Sequence, residues 1–100
     1  MLTSAQVVEL LGQEREFLAR EFGVRRIALF GSFAAGCPTE ESDVDLLVEF
    51  DRPIGLGFVE LAEHLERVLG RRVDLVTAAG LAAIPHPSVA RSIAESLVHV

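Results

Sequence analysis

Two aspartates at the start of an apolar segment are the residues of this chain best suited to chemistry. Asp43 and Asp45 open the run Val44–Phe50, and residues two apart on a strand point to the same face of a sheet. Two carboxylates directed at one spot repel each other unless a cation lies between them. Mg²⁺ favours carboxylate oxygen and is often shared with substrate phosphates. The pair therefore predicts a magnesium site, although an isolated Asp-x-Asp is more often a solvated strand edge or turn.

A glycine and a serine directly follow the preceding apolar run. Gly31 allows a sharp turn and a close approach of the backbone to a ligand, and Ser32 offers a hydroxyl and a backbone N–H. If a short helix begins there, its first turn attracts phosphate. Turns commonly contain both residues, so the dipeptide alone is weak. Together with the aspartates, it predicts a site for a metal-bound phosphate.

A third acid lies inside the short apolar run Val73–Val76. Asp74 interrupts that run, and a carboxylate there is either an edge-strand residue facing water or part of a site. As part of a site it would join Asp43 and Asp45. Three carboxylates can hold two Mg²⁺ ions about 4 Å apart, one for an attacking hydroxyl and one for a triphosphate.

Helices and strands in alternation must position these side chains. A capping box at Thr3 and Gln6 and a glycine at position 23 bound the first helix. Apolar periodicity predicts further helices over residues 57–69 and from Ser88 to about Leu97, strands over 26–30, 44–50 and 73–76, and a loop over 78–87. The predicted fold is α/β or α+β, a small mixed sheet of about three to four strands flanked by helices.

The composition limits the size and the partners of the protein. One hundred residues, half of them hydrophobic, predict a single domain over residues 1–100. The net charge is −6 with nine cationic residues, all arginine, which argues against direct nucleic-acid binding because phosphate contacts need surplus cations. The single cysteine, Cys37, favours a reducing compartment, and no segment is typical of a signal peptide or a membrane span. We expect a soluble, cytoplasmic protein.

The motif region resembles a known family. The run GSFAAGCPTEESDVDLLVEF, residues 31–50, is similar to the signature of the polymerase-beta-type nucleotidyltransferase superfamily. That signature has Gly-Ser after the first strand, a loop of about ten residues, and Asp-x-Asp opening the next strand; here ten residues separate Ser32 from Asp43. The later VDLVT, residues 73–77, resembles the strand that carries the third acid. The length points to the minimal nucleotidyltransferases, the partners of HEPN-domain toxins.

The resemblance implies a fold core and a role for each motif residue. The core would be that of the nucleotidyltransferase fold. Asp43 and Asp45 would bind two Mg²⁺ ions, Asp74 would bind the catalytic one and help deprotonate the acceptor hydroxyl, and Gly31 and Ser32 would hold the triphosphate. The substrate would be ATP, attacked at its α-phosphate with release of pyrophosphate. The acceptor would be a hydroxyl on a HEPN-domain toxin, which the chain would bind as a hetero-oligomer and neutralise as an antitoxin.

One residue departs from the family pattern. Many minimal members read Gly-Ser-x-Ala-Arg-Gly, and this chain has Ala35 in place of that arginine. Arg25, Arg26 and Arg52 are candidate substitutes by sequence proximity. The departure keeps open a non-catalytic antitoxin that acts by contact. A transferase for small molecules ranks lower, because those enzymes usually carry an additional acceptor domain. Outside the motif, His64 lies among Glu63 and Glu66 on the second helix and is expected to be exposed.

Overall fold

A mixed sheet with helices forms the frame of the protein. The computed structural model describes residues 2–36, 39, 42–82 and 97–100. The elements in chain order are α1 (Ser4–Phe22), β1 (Val24–Phe30), α2 (Gly31–Ala34), β2 (Val44–Phe50), α3 (Gly57–Leu69), β3 (Val73–Thr77), α4 (Ala78–Ala82) and β4 (Val98–His99). The predicted α/β class and the mixed sheet of three to four strands are confirmed.

The strand directions bring three strand ends to one edge of the sheet. The order is β3-β2-β1-β4; β1 runs antiparallel to β2 and β4, and β2 runs parallel to β3. The carboxyl end of β1 therefore lies beside the amino ends of β2 and β3. The residues that follow β1 and those that open β2 and β3 share this edge, as the motif spacing requires.

Capping residues set the limits of the two long helices, as their sequences predict. Thr3 and Gln6 form the reciprocal capping box of α1, with the Thr3 hydroxyl accepting from the Gln6 amide at 3.2 Å. Gly23 and Gly70 end α1 and α3 in the left-handed conformation, with φ of 67° in each, which glycine adopts without a steric penalty.

The main core lies between one face of the sheet and helices α1 and α3. Alternate residues of β1 and β2 face it, since the side chains of a strand alternate between faces. Burial of each such side chain stabilises the fold by about 1.5–3 kcal/mol. Its fully buried members include Val7, Leu11, Leu18, Leu29, Phe33, Val44, Leu46, Val48, Leu61 and Leu65. Asp45 and Leu47 have the opposite parity and lie on the other face.

Two strand boundaries and two elements differ from the sequence prediction, and one of these boundaries is the end of β3, at Thr77 rather than at residue 76. β1 begins two residues earlier, at Val24, because the edge residues still pair with β2 across a bulge. Residues 78–82 of the predicted loop form the helical turn α4, which Thr77 supports by accepting a hydrogen bond from the Gly80 amide at 2.9 Å. β4 was not predicted. The helix predicted from Ser88 falls outside the described residues, except for Leu97. Among the described helices, none combines the length and apolar character needed to cross a membrane.

His64 is packed rather than exposed, contrary to the sequence prediction. Its ring lies 4.8 Å from the ring of Phe17 between centroids, and only 21% of its side chain is exposed. Nε2 is buried without a hydrogen bond, at 3.6 Å from Glu14 Oε2. Glu63 is exposed and Glu66 accepts a hydrogen bond from the Val73 amide at 3.1 Å, whereas His64 itself faces α1.

Candidate active site

Strand pairing brings two of the predicted acids side by side. Asp45 is the register partner of Phe30 on β1 and of Asp74 on β3. Register partners on neighbouring strands direct their side chains to the same face. Asp43 lies two residues before Asp45, immediately outside β2. The three acids therefore converge on the edge where Gly31 follows β1, and we call Gly31, Asp43, Asp45 and Asp74 the acidic edge.

Asp45 is the acid whose pKa is changed by this arrangement. Partial burial raises its pKa above the ordinary value of 3.8, and repulsion from Asp74 and then from Asp43 raises the pKa further. Among the described residues, Asp45 has no ion pair. An opposite charge placed here would favour the ionised carboxylate. The acidic edge is therefore a site at which a cation would be stabilised.

Gly31 is the residue in closest contact with Asp45. Its φ is +74°, and a Cβ at this position would overlap the Asp45 carboxylate, with the carboxylate carbon at 2.9 Å. Sequence reasoning expected Gly31 to allow a close approach of backbone to ligand. The structure shows a close approach of backbone to Asp45, so any side chain at position 31 would displace the carboxylate.

Helix α2 holds Ser32 next to this contact. Phe33 is completely buried in the main core, and its carbonyl accepts a hydrogen bond from the Ser4 hydroxyl at the start of α1. Ser32 is half-exposed in the same turn, and its hydroxyl makes no hydrogen bond to any described residue. The buried phenylalanine thus fixes the turn, while the serine beside it is available to a ligand.

The donors suit Mg²⁺ in chemistry, although they are not gathered around one point. Within the described part of the chain, no three His, Cys, Asp or Glu side chains form a ready metal cluster. Asp43 directs Oδ1 toward Arg72 Nε at 4.0 Å, with 46% of the Asp43 side chain exposed. Carboxylate oxygens are the ligands that Mg²⁺ prefers, and the exposed Asp43 can turn from Arg72 toward Asp45. In charge and in donor type, the residues present fit a magnesium site.

The arginines proposed to replace the missing cation lie elsewhere. Ala35 is exposed at the end of α2, as its position in the motif suggests. Arg26 pairs with Glu49 at 3.2 Å, four positions along β2 from Asp45. Arg52 pairs with Asp51 at 3.5 Å beyond the far end of β2, and Arg25 borders a cavity against α1.

Two arginines that sequence reasoning missed do lie at the acidic edge. Arg72 is the cation nearest to Asp43, and Arg71 reaches the loop before Asp43. The signal was the Arg-Arg pair directly before the run that carries Asp74. It could have been found by asking what precedes each acid-bearing strand at the same edge.

The sequence matches a described family and a named relative. Residues 11–100 match the family model described as nucleotidyltransferase domain. The protein adenylyltransferase MntA of Thermococcus cleftensis is 41% identical over 101 residues, a match that covers all of this chain and 98% of the relative.

Solved structures share the fold. A chain provisionally named a minimal nucleotidyltransferase superposes with a TM-score of 0.78 at 29% identity, covering 99% of this chain and 97% of the other. A chain from the complex of a tri-AMPylated HEPN toxin of Shewanella oneidensis with its MNT antitoxin has a TM-score of 0.55 at 20% identity, covering 96% and 66%. At that identity the likeness concerns the fold alone.

Proposed function

The chain belongs to the nucleotidyltransferase domain family, and on that premise we propose that it transfers AMP from ATP to a hydroxyl on a HEPN-domain toxin. The observation that carries the proposal is the acidic edge: Asp45 lies against Gly31, is paired in register with Asp74, and has no ion pair among the described residues. The relative named protein adenylyltransferase supports the choice of the transferred group and of a protein acceptor, and the S. oneidensis complex, in which the likeness is one of fold, contains a tri-AMPylated HEPN toxin.

The residues of the acidic edge and the neighbouring Ser32 have distinct roles in this proposal. Asp43 and Asp45 would hold Mg²⁺, which when bound would neutralise the triphosphate and polarise its α-phosphate. Gly31 leaves space for the Asp45 carboxylate, and Ser32 donates to the triphosphate. Because the site is fixed by a strand pair and a buried phenylalanine, positioning and charge stabilisation supply most of the rate enhancement.

The reaction is an in-line displacement at phosphorus. The acceptor oxygen forms a bond to the α-phosphorus of ATP, the bond from that phosphorus to the bridging oxygen breaks, and pyrophosphate leaves with the electron pair. Asp74 accepts the hydroxyl proton. Its exposed position at the start of β3 is open to an incoming macromolecule, which suits an acceptor carried by a protein partner.

The charge of the chain is consistent with a protein acceptor. The net charge of −6 disfavours a polyanionic acceptor and favours a protein surface of opposite charge. We propose a hetero-oligomer in which the toxin presents its hydroxyl at the acidic edge.

Label transfer from ATP tests the proposal directly. The chain is incubated with ATP labelled at the α-phosphate, Mg²⁺ and a HEPN-domain toxin supplied as the acceptor. We expect label on the toxin with the wild type and none with Asp43→Asn or Asp45→Asn. Asp51→Asn is the matched control, since Asp51 is also an aspartate beside a left-handed glycine but lies at the far end of β1.

A contact antitoxin is the second candidate function. Ala35, in place of the family arginine, leaves the motif helix without a cation of its own and favours this alternative. Toxin neutralisation that survives both aspartate substitutions, with no label transferred by the wild type, would establish the contact mechanism and exclude the transferase.

A further inference from the structure

Arg71 lies next to the acidic edge and contacts residues that are distant from it in sequence. Its Nη2 donates to the carbonyl of Thr39 and to the carbonyl of Ser42, both at 2.7 Å. Its guanidinium carbon lies 5.3 Å from the centre of the Phe33 ring. The side chain is half-buried; its bond to Ser42 is partly buried, whereas its bond to Thr39 is exposed.

Each contact falls on a segment that carries a residue of the candidate site. Phe33 follows Ser32 on α2, Ser42 directly precedes Asp43, and Arg71 itself lies three residues before Asp74. The backbone strengthens the same junction, because the Val44 amide donates to the carbonyl of Arg72 at 2.9 Å. The Arg71 guanidinium, just before β3, thus contacts both α2 and the residue that precedes Asp43.

The two residues whose carbonyls Arg71 binds are also hydrogen-bonded to each other. The Ser42 amide donates to the Thr39 carbonyl at 3.1 Å, and the Thr39 amide donates to the Ser42 hydroxyl at 2.9 Å. The Thr39 carbonyl thus accepts from both the Ser42 amide and Arg71. A hydrogen bond from a charged donor to a carbonyl is stronger than a neutral one. Because Ser42 directly precedes Asp43, the bond to Ser42 also restrains the position of Asp43.

We propose that Arg71 is a positioning residue that holds α2 and the backbone at Thr39 and Ser42 so that Ser32 and Asp43 meet one metal-bound triphosphate. This inference rests on the proposed function and deepens it. A lysine would keep the charge, but it lacks the planar group that lies over Phe33 while bonding two carbonyls. Arg72, with 87% of its side chain exposed and only Asp43 nearby, has no comparable set of contacts among the described residues.

The test compares Arg71→Gln and Arg71→Lys with Arg67→Gln, which removes the same charge from an exposed position in the last turn of α3. Amide hydrogen exchange of Ser42 and Val44, measured without nucleotide, should accelerate about tenfold or more in Arg71→Gln. Arg71→Lys should fall between Arg71→Gln and the wild type, and Arg67→Gln should match the wild type. Unchanged exchange in Arg71→Gln would overturn the inference.

Nucleotide binding separates positioning from general stabilisation. With Mg²⁺ present and at temperatures where each variant is folded, Arg71→Gln should bind a fluorescent ATP analogue about tenfold more weakly than the wild type. An equal affinity, with a lowered Tm alone, would make Arg71 merely structural and overturn the proposal. If the wild type binds no ATP analogue, the proposed transferase function is refuted instead. The amide exchange rates of Ser42 and Val44 would still decide whether Arg71 holds the backbone at Thr39 and Ser42.

Discussion

The two ends of β1 use the same backbone device for different purposes. Gly23 precedes the strand with φ of +67°, and Gly31 follows it with φ of +74°. In each case an aspartate carboxylate occupies the space where a Cβ would be: Asp51, with Oδ1 at 2.6 Å, and Asp45. A left-handed glycine with an aspartate against it is therefore not by itself a mark of function.

The surrounding charges make the difference between the two ends. At Gly23, Arg52 lies 3.5 Å from Asp51 and also donates to the carbonyl of Arg20 at 3.2 Å. At Gly31, the neighbours of Asp45 are further acids, and its pKa is raised by burial and by those acids. A carboxylate that already has its cation completes a turn, whereas one that lacks a cation is ready to bind one.

The largest expected effect is on the rate of adenylyl transfer. It should appear when the carboxylate charge is removed at the Gly31 end of β1, and not when it is removed at the Gly23 end. Asp45→Asn should lower the rate of adenylyl transfer about 10²–10³-fold, in the range found when a group stabilising the transition state is lost. Asp51→Asn should leave the rate unchanged and alter the free energy of unfolding by less than about 1 kcal/mol, because its ion pair is exposed. Label transfer and urea denaturation measure the two effects, and equal losses of transfer would erase the distinction between the ends.

A methyl group at each glycine should separate stability from activity. Gly31→Ala and Gly23→Ala should each destabilise the fold by about 1–3 kcal/mol, because alanine is strained at positive φ. Only Gly31→Ala should also slow transfer, by about 10²-fold, since its Cβ displaces Asp45. Thermal denaturation beside initial rates would test this. Full activity in folded Gly31→Ala would contradict the role of the close contact.

Adding an arginine should make the acidic edge more like the other end. Ala35→Arg restores the family residue at an exposed position, where a single ionic contact to the triphosphate gives about 1 kcal/mol, or roughly fivefold in the KM for ATP. The control is Ala79→Arg, which adds the same charge on α4 beyond β3. A KM that falls equally in both variants would point to overall charge rather than to position 35.

The smallest expected effect is a pH dependence of stability. Since the pKa of Asp45 is raised above 3.8 by burial and by the neighbouring acids, the folded protein binds this proton more tightly than the unfolded chain. The contribution of Asp45 to stability is fully present below pH 3.8 and is lost as pH rises through the raised pKa. Asp45→Asn should flatten that slope, and Mg²⁺ should restore stability at the higher pH. Urea midpoints across acidic pH would show both.

Local signals in the sequence predicted most of the frame and the grouping of the acids. The capping box of α1, the terminal glycines and the apolar runs are local, so spacing alone located α1, α3 and three strands. The parity of Asp43 and Asp45 on β2 predicted a shared face, and strand pairing added Asp74 to it.

Contacts between distant residues could not be predicted in this way. Arg71 bonds to residues about thirty positions earlier in the chain, and no periodicity signals such a contact. β4 is two residues long and exists only because β1 offers an edge. His64 was misjudged because its sequence neighbours are charged, although the helix turns its ring toward Phe17.

The register of β2 links the position of Asp45 to the correct alignment of the sheet. Asp45 faces one side of the sheet and Leu46 faces the main core. A slip of β2 by one residue would move every side chain to the opposite face, driving an aspartate into the apolar interior while exposing a leucine. Burial of an unpaired charge is among the costliest errors a fold can make. An acid that we propose to bind Mg²⁺ thus also penalises a misaligned sheet, so selection for the proposed activity and selection against misfolding would act on the same position.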